Sequence, residues 1–210
     1  MDGTMFDTEK LWGDVTRKLA RKYGITFDEK VRVKMMGKKD SEALAIMKDY
    51  FKIASTVAEL IETRRTMILE DLSMIKVNEG LFELLDLLDR KKMKKAVATS
   101  SFEEFTSRVL KQFDVASRFD AIVTGDDVAV SKPDPMMFLK AAELIGVEHS
   151  KCLVLEDAQN GIEAAYNAGM HSFAIPHDAS RHHDFSKATK VINSMLEVDE
   201  GTLIALQTTM

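Results

Sequence analysis

The residue types that could do chemistry in this chain recur at the ends of short apolar runs. CLVL ends in Glu156-Asp157, and AVAT ends in Thr99-Ser100-Ser101. After AIVT comes GDDVAVSKPDP, with Lys132 just ahead of Pro133, and the front of the chain offers Asp2-Gly3-Thr4. Carboxylates that can hold a magnesium ion, hydroxyl and amide donors, and a fixed cation to neutralise phosphate oxygens are the set that phosphoryl transfer needs. Each piece also has a plain structural reading. The hydroxyl turn is a helix cap, the acid pair the polar end of a strand, Lys132 a solvated loop lysine and Asp2-Gly3 a terminal segment. Their joint placement at successive strand ends is what favours chemistry.

Two kinds of patterning must position these residues. Over residues 11–88 the periodicity is helical. Leu44, Met47 and Phe51 recur at steps of three and four; Val57, Leu60, Ile61, Arg64 and Ile68 form a second stripe, and Leu81, Leu84, Leu85 and Leu88 a third. No convincing strand is visible there. After residue 90, short apolar runs alternate with helical stretches: KKAVATS, a helix over 105–113, DAIVTGDD, a helix over 135–145, KCLVLED, a helix over 162–168, then HSFAIP. This alternation predicts an α/β fold with a Rossmann-like parallel sheet, whose binding sites lie at the carboxyl ends of the strands.

Composition narrows the function classes. The 210 residues carry 29 Lys and Arg against 34 Asp and Glu, a net charge of −5, which argues against a nucleic-acid partner. No apolar run approaches the ~20 residues of a membrane span, and the N-terminus has no basic, then apolar, signal pattern. The single cysteine, Cys152, supports no disulfide framework and suits a reducing, cytoplasmic setting. His182-His183 lack a third ligand at suitable spacing and read as loop residues.

Taken in order, DGT, a helical insert, VATSS, GDDVAVSKPDP and VLEDAQNGIEAAYNAGM resemble the haloacid dehalogenase superfamily. The chain is most similar to the branch with a helical cap inserted after the first motif, which includes pseudouridine-5′-phosphatase, sugar-phosphate phosphatases and β-phosphoglucomutase. MMGKKDSEA and KCLVLEDAQNG lean toward the pseudouridine-5′-phosphatase-like members. The resemblance implies a core over residues 1–10 and 78–210, a cap over 11–77, and the site residues that follow. Asp2 is the general acid/base, with its backbone carbonyl on Mg²⁺. Thr99 and the Ser100 amide hold phosphate, Lys132 neutralises charge, and Glu156 and Asp157 anchor the metal. Gly37, Lys38 and Lys39 face the site from a cap loop, where substrate contact and plain solvation remain open. Asp7 and Thr8 are either the start of the cap connection or N-cap residues.

The family's first motif reads Asp-x-Asp-Gly-Thr/Val, and its first aspartate is the nucleophile. Here that position falls just before Met1, as does the strand that delivers it, so the chain as written is expected to lack aspartyl-phosphate chemistry and the true start is expected upstream. The implied function is Mg²⁺-dependent hydrolysis of a small phosphorylated metabolite, nucleotide-like or sugar phosphate, by a monomer. The alternatives are a phosphosugar mutase of the same fold and a catalytically dead binding protein.

Overall fold

The computed structural model describes residues 1–35 and 38–207. A two-residue strand, β1 (Phe6–Asp7), leads out of the N-terminal turn into four helices: α1 (Glu9–Lys22), α2 (Glu29–Met35), α3 (Asp40–Phe51) and α4 (Val57–Leu69). The chain returns through β2 (Lys76–Val77), which pairs antiparallel with β1, Phe6 opposite Val77. Both crossings between the helical body and the rest therefore lie in one short ladder. The α4 start is a full capping box. Thr56 accepts from the Glu59 amide, and Glu59 reaches back to the Thr56 amide.

The remainder alternates as its patterning demands: α5 (Leu81–Arg90), β3 (Ala96–Ala98), α6 (Glu103–Gln112), β4 (Ala121–Val123), α7 (Met136–Ile145), β5 (Leu153–Glu156), α8 (Gln159–Asn167) and β6 (His171–Ala174). A short β7 (Lys190–Val191) and α9 (Glu200–Gln207) complete it. The pairings between β3 and β4, β5 and β6, and β6 and β7 are all parallel. This is a Rossmann-like α/β core with a helical cap. The predicted strands and their crossover helices fall where expected; β1, β2, β7 and α9 are additions to the sequence reading.

The parallel strands do not form one sheet. Among the described residues β3 pairs only with β4, while β5, β6 and β7 form a separate ladder, and no ladder joins β3 to β5. Between them lies an apolar cavity of about 370 Å³, walled by α5 on one face and α7 on the other, with Met1 and Met5 also lining it.

Among the described residues four apolar clusters share the packing, and the two largest divide between core and cap. One gathers Phe6, Leu81, Leu84, Phe105, Leu110 and Phe173 in the core, where the Phe6 ring stacks on Phe113 at 4.9 Å. The other belongs to the cap: Leu19, Val31, Leu44, Met47 and Leu60, all fully buried. Burying such side chains contributes roughly 1.5–3 kcal/mol each, which is why an inserted helical segment can hold its own shape.

Candidate active site

The four sequence motifs meet at one cavity of about 150 Å³ at the carboxyl end of the strands, under the cap. Asp2, Thr99, Ser100, Lys132, Glu156 and Asp157 all line it. The first turn is built by backbone hydrogen bonds from Gly3 to the Phe6 carbonyl (2.9 Å) and from Met5 to the Met1 carbonyl (2.8 Å). Asn78, just after β2, clamps this turn by donating from Nδ2 to the carbonyls of Gly3 (2.7 Å) and Thr4 (2.9 Å).

That turn holds the Asp2 carboxylate amid four donors. Oδ1 accepts from Thr8 Oγ1 (2.9 Å) and Trp12 Nε1 (3.0 Å), and Oδ2 accepts from Ser101 Oγ (2.9 Å) and Thr99 Oγ1 (3.2 Å). Two open questions from the sequence are answered here. Thr8 is the N-cap residue of α1, yet its side chain makes no cap bond, being committed to Asp2. The Thr99-Ser100-Ser101 turn does not cap α6 either. Phe102 takes that position, and the Glu103 amide donates to Asp126.

Lys132 and Glu156 form a close, buried ion pair. The Lys132 ammonium also lies 3.4 Å from the Ala98 carbonyl and 4.7 Å above the Phe138 ring. Glu156 can reach this place only because Gly161 has no side chain: a Cβ there would overlap its carboxylate. Glu156 is thus engaged by Lys132 and does not stand free beside Asp157.

Asp157 accepts from Thr4 Oγ1 (2.9 Å) at Oδ1 and lies 3.1 Å from His177 Nε2 at Oδ2. The Ala179 amide donates to His177 Nδ1 (3.3 Å), which leaves Nε2 as the protonated nitrogen facing Asp157. Burial would raise the Asp157 carboxyl, but the bonds from His177 and Thr4 hold it below the usual carboxylate range. The same bond to Asp157 outweighs partial burial and raises the His177 imidazole.

Among the described residues, no three His, Cys, Asp or Glu side chains converge as a complete metal shell. The donors present still suit a hard cation. Asp157 packs against the first turn so closely that a Cβ at Gly3, whose φ is +71°, would overlap its carboxylate. Carboxylate and turn backbone therefore share one small oxygen-rich pocket, and magnesium commonly takes one or two carboxylates and keeps its waters.

The cap closes over this floor with Trp12, Arg32, Lys38 and Arg64. Arg64 is buried, paired with Asp40 (3.0 Å) and stacked 4.5 Å over Trp12. Of the expected cap-loop residues, Lys38 reaches the cavity and Gly37 lies outside the described residues. Lys39 points elsewhere: its ammonium donates to the carbonyls of Val128 and Ala129, and its amide to Ser131 Oγ (3.2 Å), tying cap to core. Trp12, Arg64, Asn78 and His177 were not singled out as site residues by the sequence, because each is brought in by a different element with no motif of its own.

A sequence model of the haloacid dehalogenase-like hydrolases matches residues 1–175. The chain is 32% identical over 173 residues to a phosphorylated carbohydrates phosphatase of Thermotoga maritima, covering 81% of this chain and 79% of that one. It is 29% identical over 203 residues to a probable pseudouridine-5′-phosphatase of Drosophila melanogaster, covering 94% and 88%. Among solved structures, a β-phosphoglucomutase of Clostridium difficile superposes with a TM-score of 0.86 at 22% identity over 99% of this chain and 94% of that one, a likeness of fold.

Proposed function

Because the chain belongs to the haloacid dehalogenase-like hydrolases, we propose that it is a magnesium-dependent phosphatase of a small phosphomonoester, a sugar or nucleotide-like phosphate. The observation that carries this reading is the convergence of Asp2, Thr99, Ser100, Lys132 and Asp157 on one cavity beneath the cap. The relatives named for phosphorylated carbohydrates and for pseudouridine-5′-phosphate support the substrate class.

In this reading an aspartate at the position just before Met1 attacks phosphorus. The bond from phosphorus to the leaving oxygen breaks, and Asp2 gives that oxygen a proton. Asp2 then takes a proton from the water that attacks the aspartyl-phosphate, which releases inorganic phosphate and restores both carboxyl groups. Thr8, Trp12 and Ser101 fix the Asp2 carboxylate for both transfers, while Thr99 turns its single hydroxyl proton from Asp2 to the phosphate when substrate binds. Thr99 and the Ser100 amide bind phosphate oxygens, and Lys132, aimed by Glu156, offsets charge on them. Magnesium, held by Asp157 and the Asp2 carbonyl, supplies charge neutralisation when bound. Lys38, Arg64 and Trp12 contact the rest of the substrate from the cap, which excludes bulk water. The half-buried lone thiol Cys152 supports a cytoplasmic setting, and we take the active unit to be a monomer.

The test is phosphate release with magnesium from sugar and nucleotide monophosphates, by the chain from Met1 and by a version extended with its in-frame upstream residues. Activity in the extended version alone, lost on changing its added aspartate to asparagine, is the expected result. Inactivity of both over a broad panel would overturn the reading. With β-glucose-1-phosphate, glucose-6-phosphate appearing without free phosphate would instead indicate transfer.

A further inference from the structure

The loop that presents Lys132 is gripped by the cap at the residue next to it. Ser131 is buried, and its polar groups are committed to the start of α3. Its hydroxyl oxygen accepts from the amide of Lys39, the N-cap residue of that helix (3.2 Å). Its own amide donates to Glu42 Oε1 in the first helical turn (3.3 Å). The Lys39 ammonium adds bonds to the carbonyls of Val128 (3.5 Å) and Ala129. One turn of the cap thus holds residues 128–131, and its hold ends beside Lys132. Glu42 has a second neighbour: its Oε2 lies 4.0 Å from the ammonium of Lys38, which lines the site cavity. Through the Ser131 amide, Glu42 therefore links a cap lysine and a core lysine that face the same cavity.

We propose that Ser131 is a positioning residue, through which closure of the cap sets Lys132 for phosphate. The inference rests on the phosphatase reading, in which Lys132 offsets charge on phosphate oxygens. The core restrains this side chain at its far end, where the ammonium pairs with Glu156 and lies 3.4 Å from the Ala98 carbonyl. A lysine stem is flexible, so its ammonium meets Glu156 and a phosphate oxygen together only when its backbone is fixed at the right distance from both. The cap supplies that fixing. When it is down, Ser131 is anchored at amide and hydroxyl, and the Lys132 backbone follows. When it lifts, both groups turn to water and the loop is released. Coupling of this kind is reciprocal, so phosphate held by Lys132 must in turn favour the closed cap. The phosphate end of a substrate would then draw the cap down whatever the rest of the molecule is.

The test follows amide hydrogen exchange at Lys39 and Ser131 by NMR, with magnesium and with or without saturating inorganic phosphate. A shift of the Ser100 amide marks phosphate binding. In the parent chain, phosphate should slow exchange at both amides by about tenfold. In Lys132→Met, saturated at a higher phosphate concentration, it should slow neither. Ser131→Ala should weaken phosphate binding about three- to tenfold, the worth of a single hydrogen bond. Glu42→Ala withdraws the other bond from the cap side and should weaken it similarly, which keeps the test open if Ser131→Ala does not fold. Equal slowing in the parent and in Lys132→Met would overturn the proposal, because the cap would then close without Lys132. So would unchanged phosphate affinity in the Ser131 and Glu42 variants, or a parent in which phosphate shifts Ser100 and leaves both amides as they were. Those results would leave the phosphatase reading standing. No shift of Ser100 in the parent at any phosphate concentration would overturn that reading, and this inference with it.

Discussion

At the scale of single residues, the site depends on neighbours that fix each functional group in place. Removing Lys132 as Lys132→Ala leaves the Glu156 carboxylate buried without its ion partner. If the proposed phosphatase activity is observed, the expected result is a fall in kcat of about 10²–10³, read by steady-state kinetics, together with a lower melting temperature. Gly161→Ala should act on the same pair indirectly, since the added methyl displaces Glu156. Its crystal structure or thermal melt should show the shift, and a variant as stable and active as the parent would contradict the close packing described. His177→Ala should weaken magnesium binding about tenfold by calorimetry, because Asp157 loses the partner that orients it. Among the candidate residues, Thr99 and Asp157 were legible in the sequence because each follows a recognisable apolar run, Lys132 because it stands just ahead of Pro133 in the loop after AIVT, and Asp2 through the Asp-Gly-Thr motif alone. The binding partners were not: Trp12, Asn78 and His177 come from α1, the segment after β2 and the loop after β6, and only folding makes them neighbours.

At the scale of elements, the cap is held down by a few polar ties. Arg65 spans Asp40 in the cap (2.8 Å) and Asp126 in the core (2.8 Å), and its guanidinium lies 4.4 Å from the centre of the Phe102 ring. Arg65→Ala should therefore favour the open cap, raising KM more than it lowers kcat, with stability changed by only about 1 kcal/mol because the group is partly exposed. Equal effects on both constants would argue against a role in closure. The long helices were readable from period alone: α3, α4 and α5 each present an apolar stripe. The β1–β2 ladder was not, since two residues per strand are too few to show alternation, and β7 is exposed on both residues and carries no apolar signal. The break between β3 and β5 is a matter of pairing between segments, which periodicity within a segment does not encode.

At the scale of the whole molecule, the parallel α/β architecture was visible in the alternation after residue 90, and the structure adds how the two bodies are joined. The cap cluster around Leu44 and Leu60 and the core cluster around Phe6 and Phe105 are separate, with Met67 at the edge of both. Leu60→Ala should cost about 2–5 kcal/mol in the cap. Calorimetry should then resolve a low-temperature cap transition ahead of that of the core; a single unchanged transition would show that the two bodies unfold together. The chain passes between them only at Phe6–Asp7 and Lys76–Val77, side by side in one ladder. A segment that leaves and re-enters at a single point is an exchangeable cassette. Exchange of that segment has one condition: Thr8 and Trp12 at its start hold the Asp2 carboxylate, so a replacement has to keep those two donors while the helices beyond them are free to differ.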